Sequence, residues 1–328
     1  MTSQIHSFFE RLGLSPAAVL VTASVWALPA LSPAFFGLQI LAPLPAFYYL
    51  VELGRRRGSV TLFCALLLSG IITTVAGQSG AFVFTVLMLP AGLMLGRELL
   101  GKKSRPGLAG LKAMAAIMLL WLAWSTFYNF SGIGTGGLYK DVISNLDAGL
   151  VEVGETLKGN KGLDPEQALE IESTVARLRE LLPTIMPGLL LTTMLNTIFF
   201  NMLAGQVLLR RKSAELVSWP PFSDWKLPEP LVALVILAGF CLLTPWPLAK
   251  DAGLNLLMVA GTLYFFQGLA ILSSFLNRWS VPGLLRVLIY LLLLVQAYGV
   301  ILLAIAGLAD VWADLRRPRI VATNKDEN

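Results

Sequence analysis

The sequence predicts an all-α polytopic membrane protein: a transmembrane helical bundle of about 8–10 spans with an extracytoplasmic amphipathic helical hairpin. Three observations predict this class. Hydrophobic residues make up 56% of the chain and charged residues only 14%, whereas a soluble domain carries roughly 25% charged residues. The hydrophobic residues occur in long runs, and the basic residues are concentrated in short segments between those runs.

The transmembrane helices are predicted from apolar windows near the ~20 residues needed to cross a bilayer. The nine windows are residues 14–31, 34–53, 59–77, 81–97, 109–130, 184–209, 229–248, 253–276 and 282–313. The first resembles the core of a signal peptide, but another apolar run follows at once, so we interpret it as a span. Pro43, Pro45 and Pro90 lie inside windows, where we expect kinks.

The basic segments predict the orientation in the membrane. Residues 55–57, 96–107 and 209–213 are rich in Arg and Lys and follow the second, fourth and sixth windows. Basic loops favour the cytoplasmic side, so we expect a bacterial inner-membrane protein with a cytoplasmic N-terminus.

The last window is too long for one upright span, because a helix over 282–313 would measure about 48 Å. A break at 295–299 would give two short helices and return the basic run at 316–319 to the cytoplasmic side. One long tilted helix is the alternative, and we favour two helices.

The domain organisation follows from one polar insertion. We expect an N-terminal membrane bundle of five spans over 1–130, an extracytoplasmic helical hairpin over 131–182, a C-terminal bundle of three to five spans over 183–315 and a cytoplasmic polar tail over 316–328. The insertion holds nine acidic and five basic residues, which suits a location outside the cytoplasm.

Two amphipathic helices are predicted within the insertion. Apolar residues recur at helical spacing in the first helix, at Leu138, Val142, Leu146, Leu150, Val153 and Leu157. The second begins with a capping box of Asp164 and Gln167 and has Pro165 in its first turn. Its apolar stripe is Ala168, Ile171, Val175, Leu178 and Leu182. The pair could be a shielding lid, a gate or binding wall at the bundle mouth, or a segment on the lipid interface.

Several kinds of chemistry are disfavoured by the sequence. It has no Gly-rich loop ending in Lys-Ser or Lys-Thr, which argues against an ATPase, and no Gly-x-Ser-x-Gly turn. Its one histidine, His6, lies outside the windows, which weakens metal and histidine-based catalysis. Cys64 and Cys241 lie in apolar runs, so we expect no disulfide. We therefore expect no enzyme, no cofactor and no metal.

Charge-coupled transport is also disfavoured. The ionisable residues of the windows lie near predicted helix ends, where long side chains reach the interface at low cost. Glu52, Lys112, Arg286, Asp310 and Asp314 all lie near predicted ends.

The remaining polar side chains in the windows are neutral. Thr193, Thr197 and Asn201 share one stripe of the sixth window, beside Asn196. The fifth window ends with Trp124, Tyr128 and Asn129, and the eighth contains Tyr264 and Gln267. Neutral donors with aromatic rings suit a small uncharged ligand. The alternative is interhelical hydrogen bonding, at ~0.6 kcal/mol each.

The cytoplasmic loop 212–230 combines tryptophans with prolines. Trp219 and Trp225 could anchor the loop at the lipid headgroups, or they could form a docking surface for a partner.

The order of several short motifs resembles a known family. SPAAVLVTASVWALPALSP is followed by LQILAPLPAFYYLVELGRRRG, and the last third contains PPFSDWKLPEP, LYFFQGLAIL and GLADVWADLRR. This order resembles the YybS-like family of uncharacterised bacterial integral membrane proteins, which looks distantly similar to substrate-binding subunits of energy-coupling-factor vitamin transporters. Those subunits are bundles of about six spans that dock on a coupling protein with ATPases. The resemblance implies that Ala17, Ala18 and Ala23 pack against such a partner.

Two functions remain open from the sequence. The first is a substrate-binding or transport-associated component for a small neutral ligand, bound between the fifth, sixth and eighth spans and energised by separate subunits. The second is a scaffold of an envelope assembly without a ligand. The expected partners are the lipid bilayer and either a membrane coupling subunit with ATPases or other envelope proteins, and no nucleic acid is expected.

Overall fold

The computed structural model describes residues 15–101, 105–132, 137–159 and 164–316, and every regular element in these ranges is helical. The all-α fold class is therefore confirmed. The chain divides into two compact units, with the boundary between Trp219 and Pro220. The predicted boundaries at 130 and 182 do not coincide with this division.

The first unit begins with α1 (Pro16–Leu31), a 3-10 helix (Pro33–Leu41) and α2 (Pro43–Glu52). It continues with α3 (Gly54–Val75), α4 (Ser79–Leu99), α5 (Pro106–Ser131), α6 (Leu138–Lys158) and α7 (Pro165–Lys212). A 3-10 turn (Ala214–Leu216) follows. Helix α1 begins where its sequence predicts a start: the Ser15 hydroxyl accepts a hydrogen bond from Ala18 N, and Pro16 occupies the first turn.

The second unit begins with a loop containing two 3-10 turns, Phe222–Asp224 and Glu229–Leu231. Its helices are α8 (Val232–Leu243), α9 (Pro247–Arg278), α10 (Gly283–Val295) and α11 (Ala297–Ala313). Between α10 and α11 the chain bends by 102°, and Gln296 there has extended backbone. The last window therefore forms two helices.

The lengths and composition of the helices are those of a polytopic membrane bundle. Five helices are long and apolar enough to cross a membrane: α3, α4, α5, α7 from Glu166 and α9. The bent pairs Ala34–Leu41 with Pro43–Glu52 and α10 with α11 would raise the number to seven, and Pro16–Leu31 and Glu229–Leu243 are shorter apolar helices. These segments, all within the described ranges, coincide with the predicted windows.

Large apolar side chains cover much of the surface. Phe63 is 61% exposed, Leu119 68% and Leu284 87%. So much exposed apolar surface is unfavourable in water and suits contact with lipid chains.

Helix α7 is much longer than a membrane span. Its 48 residues correspond to about 72 Å, whereas the hydrocarbon layer is ~30 Å thick. The predicted capping box at Asp164 and Gln167 is present. Pro183 and Pro187 lie inside the helix without ending it, so the boundary predicted at 182 falls within a continuous helix.

Helix α6 runs antiparallel to the first half of α7. The Asp147 carboxylate pairs with the Arg179 guanidinium, with 2.9 Å between Oδ2 and Nη2, and the Tyr139 hydroxyl donates to the Pro183 carbonyl at 3.0 Å. The hydrogen bond from Arg179 lowers the pKa of Asp147. The pair therefore stabilises the fold above the ordinary carboxyl pKa, and this contribution is lost as the pH falls through the lowered value.

The predicted apolar stripe of α6 is only partly covered, and Leu138, Val142 and Leu150 are its half-buried members. Leu146, Val153 and Leu157 are exposed, at 39%, 55% and 48%, while Gly154 is buried against Val175 of α7. The helical pair is thus present, and its extracytoplasmic location stays a prediction.

The bend between the 3-10 helix and α2 leaves carbonyls that other helices satisfy. In a 3-10 pattern, the donors for the Ile40 and Ala42 carbonyls would be the N–H groups of residues 43 and 45, which are prolines. The Asn201 amide of α7 donates to Ile40 O at 2.6 Å, and the Trp26 indole of α1 donates to Ala42 O at 2.8 Å. Two buried side chains thus hold the bend.

In the second unit, glycines set the contact between α9 and α11. A Cβ at Gly268 would overlap the Leu303 carbonyl, and one at Gly307 would overlap the Tyr264 carbonyl. The two backbones can approach this closely only without side chains at these positions.

We predict that Gly268→Ala lowers the free energy of unfolding by about 1–3 kcal/mol, because the new methyl group forces two backbones apart. Gly261→Ala is the matched control on α9, since nothing lies within 4 Å of a Cβ there, and its gain in helix propensity should stabilise slightly. Thermal unfolding midpoints in detergent micelles measure both effects. Equal midpoints for the two variants would contradict the close approach.

Candidate functional site

A groove between α4 and α5 is the candidate site in the first unit. Its volume is about 470 Å³ and its lining is entirely apolar. It is an open groove on the surface of the unit, since Phe127 is 55% exposed and Ala123 is exposed as well. The lining residues are Phe82, Val83, Val86, Leu87, Leu120, Ala123, Trp124 and Phe127. A groove with this lining can hold an uncharged, largely apolar molecule.

Of the predicted ligand-binding residues, Trp124 lines this groove. Its ring lies 5.7 Å from Phe127 and 6.3 Å from Tyr128, measured between centroids. Phe82 and Phe127 were not predicted. The aromatic pattern of the windows could have drawn attention to them, but their pairing across two helices depends on the tertiary packing.

Tyr128 and Asn129 join α5 to α6. The Tyr128 hydroxyl donates to Asp141 Oδ2 at 3.0 Å, and Asn129 Oδ1 accepts from Leu138 N, the first residue of α6, at 2.9 Å. Both polar groups therefore have intramolecular partners at the base of the helical pair.

The predicted polar stripe of the sixth window points in several directions. Thr193 is exposed and donates to Leu189 O, while Asn196 donates to Thr192 O. Thr197 and Asn201 are buried, at 3% and 0% exposure, and the Asn201 amide bridges the Ile40 and Thr197 carbonyls. Asn201 Oδ1 is buried without a partner among the described residues. Most donors of the stripe thus bond to helix backbone.

Trp219, predicted as a docking residue, lies in the core of the first unit. It is 1% exposed, and its ring stacks on Phe47 with 5.8 Å between centroids. Its carbonyl accepts from Arg210 at 2.6 Å. The indole ring is already covered by residues of its own unit, so it offers no surface to a partner.

The other predicted docking residues also have intramolecular surroundings. Ala18 and Ala23 are 3% and 2% exposed, so α1 uses them to pack within its own unit, and Ala17 is exposed. Trp225, in the second unit, is half-buried, and its indole donates to the Pro220 carbonyl at 3.2 Å.

A buried polar network in the second unit contains Gln267 and an unpredicted centre, Asp310. The Asp310 side chain is fully buried. Its Oδ2 accepts from Gln267 Nε2 at 3.0 Å and lies 3.3 Å from Arg316 Nη2, and its Oδ1 accepts from Leu315 N at 2.8 Å. A buried carboxylate is tolerated because charged and neutral donors surround it.

The network holds the loop at the start of the second unit. Gln267 Oε1 accepts from Leu227 N at 3.1 Å, and Arg316 Nη1 donates to Ser223 O at 2.9 Å. The expectation that Asp310 reaches the interface is wrong: its short side chain lies inside the unit. The sequence places Asp310 near a predicted helix end, but it does not show that the loop at the start of the second unit covers that end.

Tyr264, the remaining predicted residue, is also buried in the second unit. It is 2% exposed, and its hydroxyl has no hydrogen-bond partner among the described residues. Its carbonyl is the group against which Gly307 packs.

Within the described residues, no cluster of three His, Cys, Asp or Glu side chains is arranged to hold a metal ion. Cys64 and Cys241 are free thiols.

We predict that Asp310→Ala lowers the free energy of unfolding by about 3–5 kcal/mol, because it leaves Arg316 buried without its carboxylate. Asp314→Asn is the control: Asp314 pairs with Lys226 at 3.2 Å on the exposed side, where a pair contributes about 1 kcal/mol or less. Asn tolerates the left-handed backbone at this position, with φ at 40°, better than Ala does. In the double variant Asp310→Ala/Arg316→Gln, the loss should be smaller than the sum of the single losses. Chemical unfolding in detergent measures this, and additive losses would contradict the network.

Comparison with known proteins agrees with the membrane architecture. The chain is 23% identical over 286 residues to a Bacillus subtilis (strain 168) protein described as "Uncharacterized protein YybS", covering 84% of this chain and 86% of that protein. No solved structure matches. Residues 17–311 match the family described as "Predicted membrane protein (DUF2232)". A match over this length shows the family, and the chain belongs to the DUF2232 family of membrane proteins.

Proposed function

We propose that this protein is a non-enzymatic, transport-associated component of the bacterial inner membrane. In this proposal the first unit binds a small, uncharged and largely apolar ligand, and separate subunits supply the energy. The observation that carries the proposal is the apolar groove between α4 and α5, whose lining includes Trp124.

The composition of the first unit supports this proposal. It contains α3, α4, α5 and α7 as long apolar helices, the bent pair Ala34–Leu41 with Pro43–Glu52, and the shorter apolar helix Pro16–Leu31. These six apolar segments equal the number expected of the substrate-binding subunits to which the YybS-like family looks distantly similar. A unit of this size has its own packed interior and can hold a ligand without the second unit.

The hydrogen bonds of the first unit favour an apolar ligand over a polar one. Thr193, Asn196 and Asn201 donate to backbone carbonyls, so these donors are already engaged. The lining of the groove has no polar surface. A charged ligand would lose its hydration there without compensation.

The orientation is part of the same proposal. The basic segments at 55–57, 96–107 and 209–213 favour a cytoplasmic location for the loops that contain them. The N-terminus would then be cytoplasmic, and the α6–α7 pair would lie outside, where a ligand could reach the Trp124 end of α5.

We predict that Ala123→Trp, which fills the groove, removes a co-purifying small molecule. Ala123 lines the groove, whereas Ala115 is an exposed alanine of the same helix that is absent from the lining, so Ala115→Trp is the matched control. Native mass spectrometry of protein purified in mild detergent, followed by solvent extraction, measures the bound molecule. Its absence from the wild type, or its retention by Ala123→Trp, would contradict the proposal.

A scaffold role in an envelope assembly is the second candidate, and the α6–α7 pair favours it. Helix α7 exceeds a membrane span by roughly 40 Å, and α6 exposes Leu146, Val153 and Leu157. Exposed apolar positions on a helix that extends from the membrane favour contact with another protein.

For the scaffold role we predict that Leu146→Lys/Val153→Lys/Leu157→Lys abolishes cross-linking of α6 to a neighbouring membrane-envelope protein without changing ligand retention. The control is Ser144→Lys/Asn145→Lys/Thr156→Lys, which adds the same charge at exposed polar positions. Cross-linking in intact cells, followed by mass spectrometry, distinguishes them. Identical cross-links in both variants would exclude this face as the contact.

A further inference from the structure

One end of the first unit brings together several helix termini. Gly58, near the start of α3, packs against the Tyr49 and Leu50 backbone of α2, where a Cβ would lie 2.7 Å from Tyr49 O. Gly96, near the end of α4, packs against the Leu50 side chain, with 2.9 Å from a Cβ to Cδ2. The start of α3 and the end of α4 therefore both lie beside the end of α2.

Two ion pairs bring further termini to this end. Lys212, the last residue of α7, lies 2.6 Å from Glu52 at the end of α2. Lys112, near the start of α5, lies 2.7 Å from Glu98 at the end of α4. The ends of α2, α4 and α7 and the starts of α3 and α5 thus share one surface, which we call the basic end.

The basic end has an excess of exposed positive charge. Its acidic residues Glu52 and Glu98 are engaged with lysines, and Arg210 donates to Trp219 O. Six further arginines are exposed and form no ion pair with another described residue: Arg55, Arg56, Arg57, Arg97, Arg105 and Arg211.

The position of three of these arginines is unfavourable within the fold. Arg55, Arg56 and Arg57 occupy the first turn of α3, where the helix dipole is positive, and that turn contains no acidic residue. The N-cap residue Leu53 makes no side-chain cap. Three adjacent cations at a positive helix end repel one another and the dipole, and an anion bound beside them would relieve this repulsion.

We propose that the basic end binds the headgroups of anionic phospholipids. Helices that cross the hydrocarbon place their termini at headgroup depth, and guanidinium groups form bidentate hydrogen bonds with phosphate. Cations from the termini of α3, α4, α5 and α7 are neighbours at the basic end, which suits several phosphates side by side. Anionic headgroups would supply the negative charge that these six arginines do not receive from an ion pair with a described residue.

The test uses the full-length protein in nanodiscs of phosphatidylcholine mixed with phosphatidylglycerol, with native mass spectrometry of the lipids retained on release. Wild-type protein should retain phosphatidylglycerol preferentially. Arg55→Gln/Arg56→Gln/Arg57→Gln should reduce that preference by about fivefold for each arginine that contacts a headgroup. The control Lys140→Gln/Arg177→Gln/Lys250→Gln removes the same charge outside the basic end and should leave the preference unchanged.

A second variant separates charge from folding. Arg55→Lys/Arg56→Lys/Arg57→Lys keeps the positive charge and should keep most of the preference for phosphatidylglycerol. A folding defect would instead lower this preference in both the lysine and the glutamine variants. Inorganic phosphate at matched ionic strength should not displace the lipid; displacement would assign the surface to free phosphate instead. Equal retention of the two lipids by the wild type, or equal loss in the glutamine and control variants, would overturn the proposal.

Discussion

The first unit depends on satisfying two backbone carbonyls beside the bend that precedes α2. Pro43 and Pro45 remove the N–H groups that a 3-10 pattern would supply to the preceding turn, and unsatisfied carbonyls are costly in an apolar environment. Asn201 and Trp26 supply the missing donors. These two bonds fix α1 and α7 against the bend, and Phe47 can then pack beside α7.

The second unit follows the same rule with a charged group. Asp310 accepts hydrogen bonds from Gln267 and the backbone of Leu315 and forms an ion pair with Arg316. Gln267 and Arg316 in turn bond to the loop that precedes α8. In both units, buried polar side chains form hydrogen bonds within the unit. This leaves the apolar surfaces free to contact lipid or an apolar ligand.

Much of the fold could be predicted from the sequence, because window length and helix caps depend on local residues. The break near Gln296 and the capping box at Asp164 are examples. The polar contacts could not be predicted in the same way. Periodicity placed Asn201 on an inward face but could not show that its partner is the Ile40 carbonyl. Periodicity also did not show that Gly154 and Asp147 of α6 contact α7, while Val153 and Leu157 of the predicted stripe are exposed.

Helix α7 also has a mechanical consequence. The helix continues from Pro165 to Lys212, but Pro183 and Pro187 have no N–H, so two of its backbone hydrogen bonds are missing. The Tyr139 hydroxyl bonds to the Pro183 carbonyl that is left free. Arg179 couples one end to α6, and Lys212 couples the other to Glu52. The two prolines are the points at which a displacement of the α6–α7 pair is absorbed as bending before it reaches Lys212 and the end of α2.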